Sequence, residues 1–308
     1  MNTIPPPLAA GDTIAIVAPA GNIQAPKRYH RGCSILKEMG FTVIHQEKKW
    51  PGEGFLSDHD EMRAEELMAA WRDPEVKAIF ALRGGYGSLR ILKYLDLDVI
   101  RKNPKFFIGF SDITILLNHI AFRAKQVCLH GPVVSSLAVS DKSSIDRLYH
   151  CLRGNWHSQL SESVAIVRAA SSVSGPLLGG NLSSLVTLLG TTLDNSYGGT
   201  ILFIEDVNEP LYRLDRLLTQ FHLSGKFNGI KGIILGDFSN DQEADRREQD
   251  RVHEFVWKRV LELVPDSDIP IWGNFPAGHA HKNITLPIGA HCTMDSSQPS
   301  LSFSGNVI

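Results

Sequence analysis

Three side chains in the 308-residue sequence could together break an acyl bond: Ser111 in FFIGFSDITILLNHI, Glu205 in LFIEDVNEP and His279 in NFPAGHAHKNITLP. A serine hydroxyl is a poor nucleophile at its own pKa, so it needs a base within hydrogen-bond reach and an acid to orient that base. Ser111 lies where the strand-like run FFIGF hands over to the helix-like DITILLNHI. On such a turn a hydroxyl stands at the C-terminal edge of a sheet, where open α/β sheets place ligands. Gly109 would allow close backbone packing there, and the N–H groups of the helix start would face a developing anion. The competing reading is that Ser111 only caps its helix. His279 falls in a Gly/Pro-rich loop, from which a ring can reach a cleft or simply be solvated. Glu205 follows four apolar residues, an expensive place for a carboxylate unless an imidazole pairs with it. Its neighbours have a simpler use, with Asn208, Glu209 and Pro210 reading as the cap and first turn of the next helix.

An acyl-transfer site also needs backbone donors for the tetrahedral oxyanion. In ALRGGYGSLR the run Gly84, Gly85, Tyr86, Gly87 permits unusual backbone angles and close approach. The amide of Gly84 or Gly85, with that of Asp112, would make two donors. As a phosphate loop the same run fails: Arg90 replaces the third glycine of a dinucleotide fingerprint, and the Gly-Lys-Ser/Thr ending of a Walker loop is missing.

These residues must be positioned by the elements around them. The first half alternates strand-like and helix-like segments: 13 to 20, 29 to 40, 41 to 46, 60 to 73, 76 to 83, 87 to 95 and 106 to 110. That order predicts a mostly parallel sheet covered by helices. Gly40 suits a helix C′ position and Asp60 an N-cap. Helix-like 179 to 191, strand-like 200 to 207, helix-like 210 to 225, strand-like 229 to 238 and helix-like 251 to 264 describe a second α/β unit, richer in strand toward its end. The polar patch 239 to 251 reads as a solvated loop entering a helix. We therefore divide the chain into a nucleophile domain (1–155), a linker (156–175) and a domain carrying acid and base (176–308), with the site at the junction, where pockets commonly form.

Composition narrows the class. With 43% hydrophobic and 21% charged residues the chain is of globular type. The 31 basic and 33 acidic residues are interspersed, which gives no footprint for nucleic acid or an anionic membrane. Cys33, Cys128, Cys151 and Cys292 are scattered, which fits reduced thiols better than a disulfide framework or a zinc ribbon. The N-terminus lacks the pattern of a secretory signal and no segment has the length to span a bilayer, so a cytoplasmic location is expected.

Seven stretches taken in order, ALRGGYGSLR, IGFSDIT, HGPVV, GPLLGGNLSSLVTLLGT, LFIEDVNEPLYRLDRLLTQF, IILGDF and AGHAHKNITLPIGA, resemble the serine LD-carboxypeptidases over nearly the whole chain. That family comprises murein tetrapeptide carboxypeptidases and their relatives, the microcin C immunity peptidases. The resemblance implies a flavodoxin-like N-terminal domain with the nucleophile, a strand-rich C-terminal α/β domain with the acid and base, and a homodimer. It carries the family serine to Ser111, the glutamate to Glu205 and the histidine to His279. The implied activity is release of the terminal D-alanine from the L-Ala-D-Glu-diaminopimelate-D-Ala tetrapeptide in peptidoglycan recycling, without cofactor or metal. Arg83 could then neutralise a substrate carboxylate or serve in a structural ion pair. His130 could line the pocket or be a buried histidine satisfied by backbone.

Four other functions compete. A general α/β-hydrolase esterase has G-x-S-x-G, but Ile113 stands at the second glycine. A metallohydrolase could use His279 and His281 as alternate residues of a strand. A two-domain protein could bind a peptide without cleaving it. Within the family, immunity to a peptidyl-nucleotide antibiotic would be favoured by an aromatic residue stacked on adenine, with Trp50 the candidate.

Overall fold

The computed structural model describes residues 2–45, 50–238 and 246–305. The chain forms two compact units. The first is Met1–Trp156 with Ile284–Gly289 and Gly305–Ile308; the second is His157–Asn283 with Ala290–Ser304. This differs from the division read in the sequence in two places. The chain re-enters the first unit near its end, and the stretch taken as a linker holds strands of the second.

The first unit contains β1 (Thr13–Val17), β2 (Thr42–His45), β3 (Val76–Ala81), β4 (Phe106–Gly109), β5 (Cys128–His130) and the later strand β11 (Leu286–Ile288). Their order is β11-β5-β4-β3-β1-β2, parallel throughout except for β11, which runs antiparallel to β5. The succession β2-β1-β3-β4-β5 is the flavodoxin-like order. It forms because β1, β3 and β4 are continuous apolar runs and not alternating ones. Such strands must be covered on both faces, and all of β4 is buried. The flanking helix Pro26–Glu38 starts with a proline whose φ is already helical, and Gly40 follows it with φ 89°, its N–H donating to the Lys37 carbonyl at 2.9 Å. Asp60 does not cap its helix. It is the first residue of Asp60–Arg72, and its carboxylate accepts from Arg63 at 2.5 Å and from Arg90 at 2.9 Å.

The second unit contains β6 (Ala165–Arg168), β7 (Val173–Asn181), β8 (Ile201–Glu205), β9 (Gly232–Leu235), β10 (Ile271–Gly273), β12 (His291–Asp295) and β13 (Ser300–Ser304). The sheet order is β13-β12-β7-β8-β9-β10-β6, with β7 to β10 parallel and the outer strands antiparallel. The segment 179 to 191, expected to be a helix, is the end of β7 followed by the short helix Leu182–Val186. Asn181 closes that strand and also caps the helix, its side chain accepting from the Ser184 N–H at 3.0 Å. Residues 239 to 245 of the expected polar loop lie outside the described residues, and the helix that follows is Arg246–Leu263.

Candidate active site

Ser111 sits directly after β4 and opens a 3-10 turn, Ser111–Ile113, that leads into the helix Thr114–His119. Its φ is 62°, in the left-handed region, which costs a non-glycine residue about 1 kcal/mol or more. Its hydroxyl caps neither helical segment, so the capping role does not account for it. Gly109 is required by packing: a Cβ there would lie 2.6 Å from Ile113 Cγ2. The next residue is tied down from its side chain, because Asp112 is buried and its Oδ2 accepts from the Ser88 N–H at 2.8 Å. Burial raises the Asp112 carboxyl pKa above the ordinary value.

The loop after β3 presses its backbone against this serine. A Cβ on Gly84 would lie 2.7 Å from Ser111 Cβ and 2.9 Å from its Oγ, so only glycine fits. Gly85 follows with φ 106°. Among the described residues, neither the Gly85 nor the Asp112 amide makes a hydrogen bond. Arg83, half-buried, donates from Nη1 to the Asn22 carbonyl at 3.3 Å and has no ion pair among the described residues. Burial pushes its guanidinium pKa down. Among the described residues the structural ion pair weighed for Arg83 is not formed.

In the second unit Glu205 is the last residue of β8, in register with Asn181 of β7, and is fully buried. Its Oε2 accepts from His279 Nδ1 at 2.7 Å. Two glycines make room for the carboxylate: a Cβ on Gly278 (φ 129°) would lie 2.8 Å from Oε2, and one on Gly236 would lie 3.0 Å from Glu205 Cβ. The Gly278 N–H donates to Asn283 Oδ1 at 3.1 Å, which pins the loop that carries His279. Burial alone disfavours the imidazolium. The Glu205 charge and hydrogen bond, with lesser contributions from Asp206 and Asp237, outweigh it and hold the His279 pKa above the ordinary histidine value.

Asp206 follows Glu205 directly, and its sequence position suggests no more than a place near the start of the next helix. It is buried, its Oδ1 accepting from Asn181 Nδ2 at 3.1 Å and its Oδ2 from the Ser183 N–H at 2.8 Å and the Ser183 hydroxyl at 2.7 Å. Burial and the adjoining Glu205 charge push its pKa up to about 6. The available signal is that two successive acids close an apolar strand, where alternation sends their side chains to opposite faces of the sheet. The helix expected to begin at Glu209 and Pro210 is Leu211–Leu223, with Pro210 at the cap position and Asn208 at φ 58°.

The structure therefore groups the residues in two sets, Arg83, Gly84, Gly85, Ser111 and Asp112 in one unit and Glu205 with His279 in the other. His130 is fully buried in β5, its ring edge-on to Phe110 at 6.0 Å. Trp50 is held by Glu66, to which its indole N–H donates at 2.9 Å, and packs edge-on against Tyr29. His279 and His281 lie in a loop and not on a strand, so the alternation that would aim both rings at one ion is missing. Among the described residues no group of three or more His, Cys, Asp or Glu could hold a metal, and all four cysteines are buried and free.

Residues 14–131, which include Gly84 and Ser111, match the family model described as the LD-carboxypeptidase N-terminal domain, and residues 174–294, which include Glu205 and His279, match the LD-carboxypeptidase C-terminal domain. This chain belongs to the LD-carboxypeptidase family. A relative from Bacillus subtilis (strain 168), named probable murein peptide carboxypeptidase, is 33% identical over 305 residues, covering 97% of this chain and 93% of the relative. Among solved structures, an MccF-like protein from Bacillus anthracis superposes with a TM-score of 0.87 at 28% identity over 99% of this chain and 100% of its own. A muramoyltetrapeptide carboxypeptidase from Oxalobacter formigenes does so with a TM-score of 0.80 at 28% identity over 96% and 100%. This LD-carboxypeptidase is accordingly a hydrolase of the serine-type carboxypeptidase class.

Proposed function

We propose that this LD-carboxypeptidase releases the terminal D-alanine from murein tetrapeptide during peptidoglycan recycling, with Ser111, His279 and Glu205 as nucleophile, base and orienting acid. The observation that carries this reading is the buried Glu205 carboxylate bonded to His279 Nδ1 at 2.7 Å. That bond makes Nδ1 the protonated nitrogen and leaves Nε2 as the acceptor a serine proton requires. The strained φ of Ser111 and the glycine-only approach of Gly84 support the other half.

In this mechanism His279 Nε2 takes the Ser111 proton as Oγ attacks the carbonyl of the diaminopimelate residue. The tetrahedral oxyanion is met by backbone amides, with those of Gly84, Gly85 and Asp112 as candidates. Glu205 stabilises the imidazolium, which then protonates the leaving nitrogen so that D-alanine departs with a free amino group. Water, deprotonated by the same imidazole, attacks the acyl-enzyme and returns Ser111 to its hydroxyl form. Arg83, charged and without an acidic partner among the described residues, suits a substrate carboxylate; His130 would act at most from behind the pocket wall. No cofactor enters any step. The same reading expects a cytoplasmic homodimer; no helix of the described residues is long and apolar enough to cross a membrane.

The likeness to an MccF-like protein favours a second reading, hydrolysis of an aminoacyl-nucleotide amide with the same three residues. Trp50, the candidate for stacking on adenine, donates its indole N–H to Glu66 and meets the Tyr29 ring at 88°. The test is D-alanine release from murein tetrapeptide by the purified protein in the presence of a chelator, beside a processed microcin analogue and with Ser111→Ala as control. Release that survives chelation and vanishes in S111A is expected. No release at high enzyme concentration, or full activity in S111A, overturns the proposal.

A further inference from the structure

The side chain of Arg63, in the helix Asp60–Arg72, is fully buried in the first unit. A guanidinium is expensive to bury unless its donors are satisfied. Here Nε donates to the Asp58 carbonyl at 3.1 Å, Nη1 to the Pro19 carbonyl and to the Gly87 carbonyl at 3.1 Å, and Nη2 to Asp60 Oδ1 at 2.5 Å. Pro19 lies in the loop after β1 and Gly87 in the loop after β3. One planar fork therefore ties together two loops that the helix itself does not need for its own stability.

Each tie ends at an amide already considered as an oxyanion donor. In a trans peptide the C=O and N–H point in opposite directions. The Gly87–Ser88 peptide accepts from Arg63 on its carbonyl side, and on its other side the Ser88 N–H donates to Asp112 Oδ2 at 2.8 Å. A buried cation and a buried carboxylate thus face each other across a single amide plane, each polarising it in the same sense. Only glycine admits this arrangement, because a Cβ on Gly87 would lie 2.8 Å from Arg63 Nη1. Burial raises the Asp112 pKa, and the Ser88 amide and the Arg63 charge pull against that rise. The second tie runs through Pro19. Two residues on, the Gly21 N–H donates to the Gly84 carbonyl at 3.1 Å, and a Cβ on Gly21 would lie 2.9 Å from that oxygen. With its carbonyl turned toward Gly21, the Gly84–Gly85 peptide directs the Gly85 N–H the opposite way.

We propose that Arg63 is a positioning residue of the oxyanion hole, holding the Asp112 amide through the Gly87–Ser88 peptide and the Gly85 amide through the Pro19–Gly21 loop. This rests on the peptidase reading above and adds a residue to it. Arg63 acts through backbone alone, and the two donors keep their spacing because both are referred to one guanidinium.

The test measures kcat and KM on murein tetrapeptide for the wild type, R63K, D112N and the double variant, together with Ki for a peptide boronic acid that forms a tetrahedral adduct with a serine hydroxyl. Lysine keeps the charge but has no planar fork, so R63K is expected to lower kcat by about 100-fold while KM changes by less than about threefold. Asparagine still offers an oxygen to the Ser88 N–H, and D112N costs about tenfold. The double variant costs no more than R63K, because both changes act through the same peptide. The boronate Ki rises by the factor by which kcat/KM falls, as expected of a group that serves the tetrahedral state and not the bound substrate. Partial unfolding lowers the active fraction and leaves Ki and KM in place, so it cannot imitate this pattern. An unchanged Ki, a loss confined to KM, or additive costs in the double variant overturns the proposal. Should R63K not fold, the proportion between Ki and kcat/KM is read in D112N. A second measurement needs no turnover: in the unliganded protein, R63K is expected to move the NMR amide signals of Gly85, Ser88 and Asp112 and to leave those of β11, at the far edge of the sheet. Unmoved Gly85 and Asp112 signals overturn the proposal whatever the activity. Moved signals in a protein that releases no D-alanine support the Arg63 clamp and count against the peptidase reading alone.

Discussion

Replacing Glu205 with glutamine tests the centre of the proposed chemistry, because the substitution keeps shape and removes one charge. The carboxylate is fully buried, and the His279 side chain that it holds at 2.7 Å is 15% exposed. Removing one partner of a buried charged pair typically costs about 3–5 kcal/mol. If Glu205 stabilises the imidazolium as it forms, the same energy is lost from the transition state, which lowers kcat/KM by about 100-fold to 10,000-fold. The pH profile separates this from a loss of fold. Glu205 raises the His279 pKa, and a base must be neutral to act, so the acidic limb of kcat/KM moves to lower pH in E205Q. Stability changes in a matching way. A histidine whose folded pKa is raised contributes stability fully present below its unfolded value of about 6.5 and lost as pH rises through the folded value. The advantage of the wild type over E205Q in urea unfolding is therefore larger at about pH 6 than at about pH 9. A loss below about tenfold, an acidic limb that stays or moves up, or a stability gap that widens with pH refutes the reasoning.

Four further substitutions, at three positions, probe the surrounding geometry. Gly84→Ala places a methyl 2.7 Å from Ser111 Cβ, so kcat falls by about 100-fold or more while the melting temperature falls only by the equivalent of about 1–3 kcal/mol; unchanged turnover would show that the serine does not depend on that approach. Ser111→Gly relieves a left-handed φ and raises unfolding stability by about 1 kcal/mol while abolishing turnover, whereas Ser111→Ala abolishes turnover without that gain. Chemical denaturation of the two variants decides it. Asp206, with its pKa pushed up from 3.8 to about 6, holds its proton more tightly folded than unfolded, so the wild type loses stability relative to D206N as pH rises through that window, by about 3 kcal/mol at most. A difference between the two proteins that is flat with pH refutes the burial argument for Asp206.

The sequence by itself determined the chain's local chemistry. Continuous apolar runs dictated buried parallel strands, since an element with no polar face has to be covered on both sides. Ser111 between an apolar strand and a helix, and Glu205 after four apolar residues, were visible as groups placed at strand ends, where side chains leave the core. The need of Glu205 for a partner was legible for the same reason: a charge cannot be buried alone. Tertiary structure decided what depends on contact between distant segments. That His279 of the loop 274–283 is the partner of Glu205, 74 positions away, follows from the crossing of chain past the end of β8. That 179 to 191 ends a strand before it begins a short helix follows from pairing with β8, which overrides local periodicity. The return of Ile284–Gly289 to the first unit depends on β5 having an open edge, and no local pattern encodes a neighbour's unpaired amides. Asp206 is of this kind as well, because burial is a property of the packed chain.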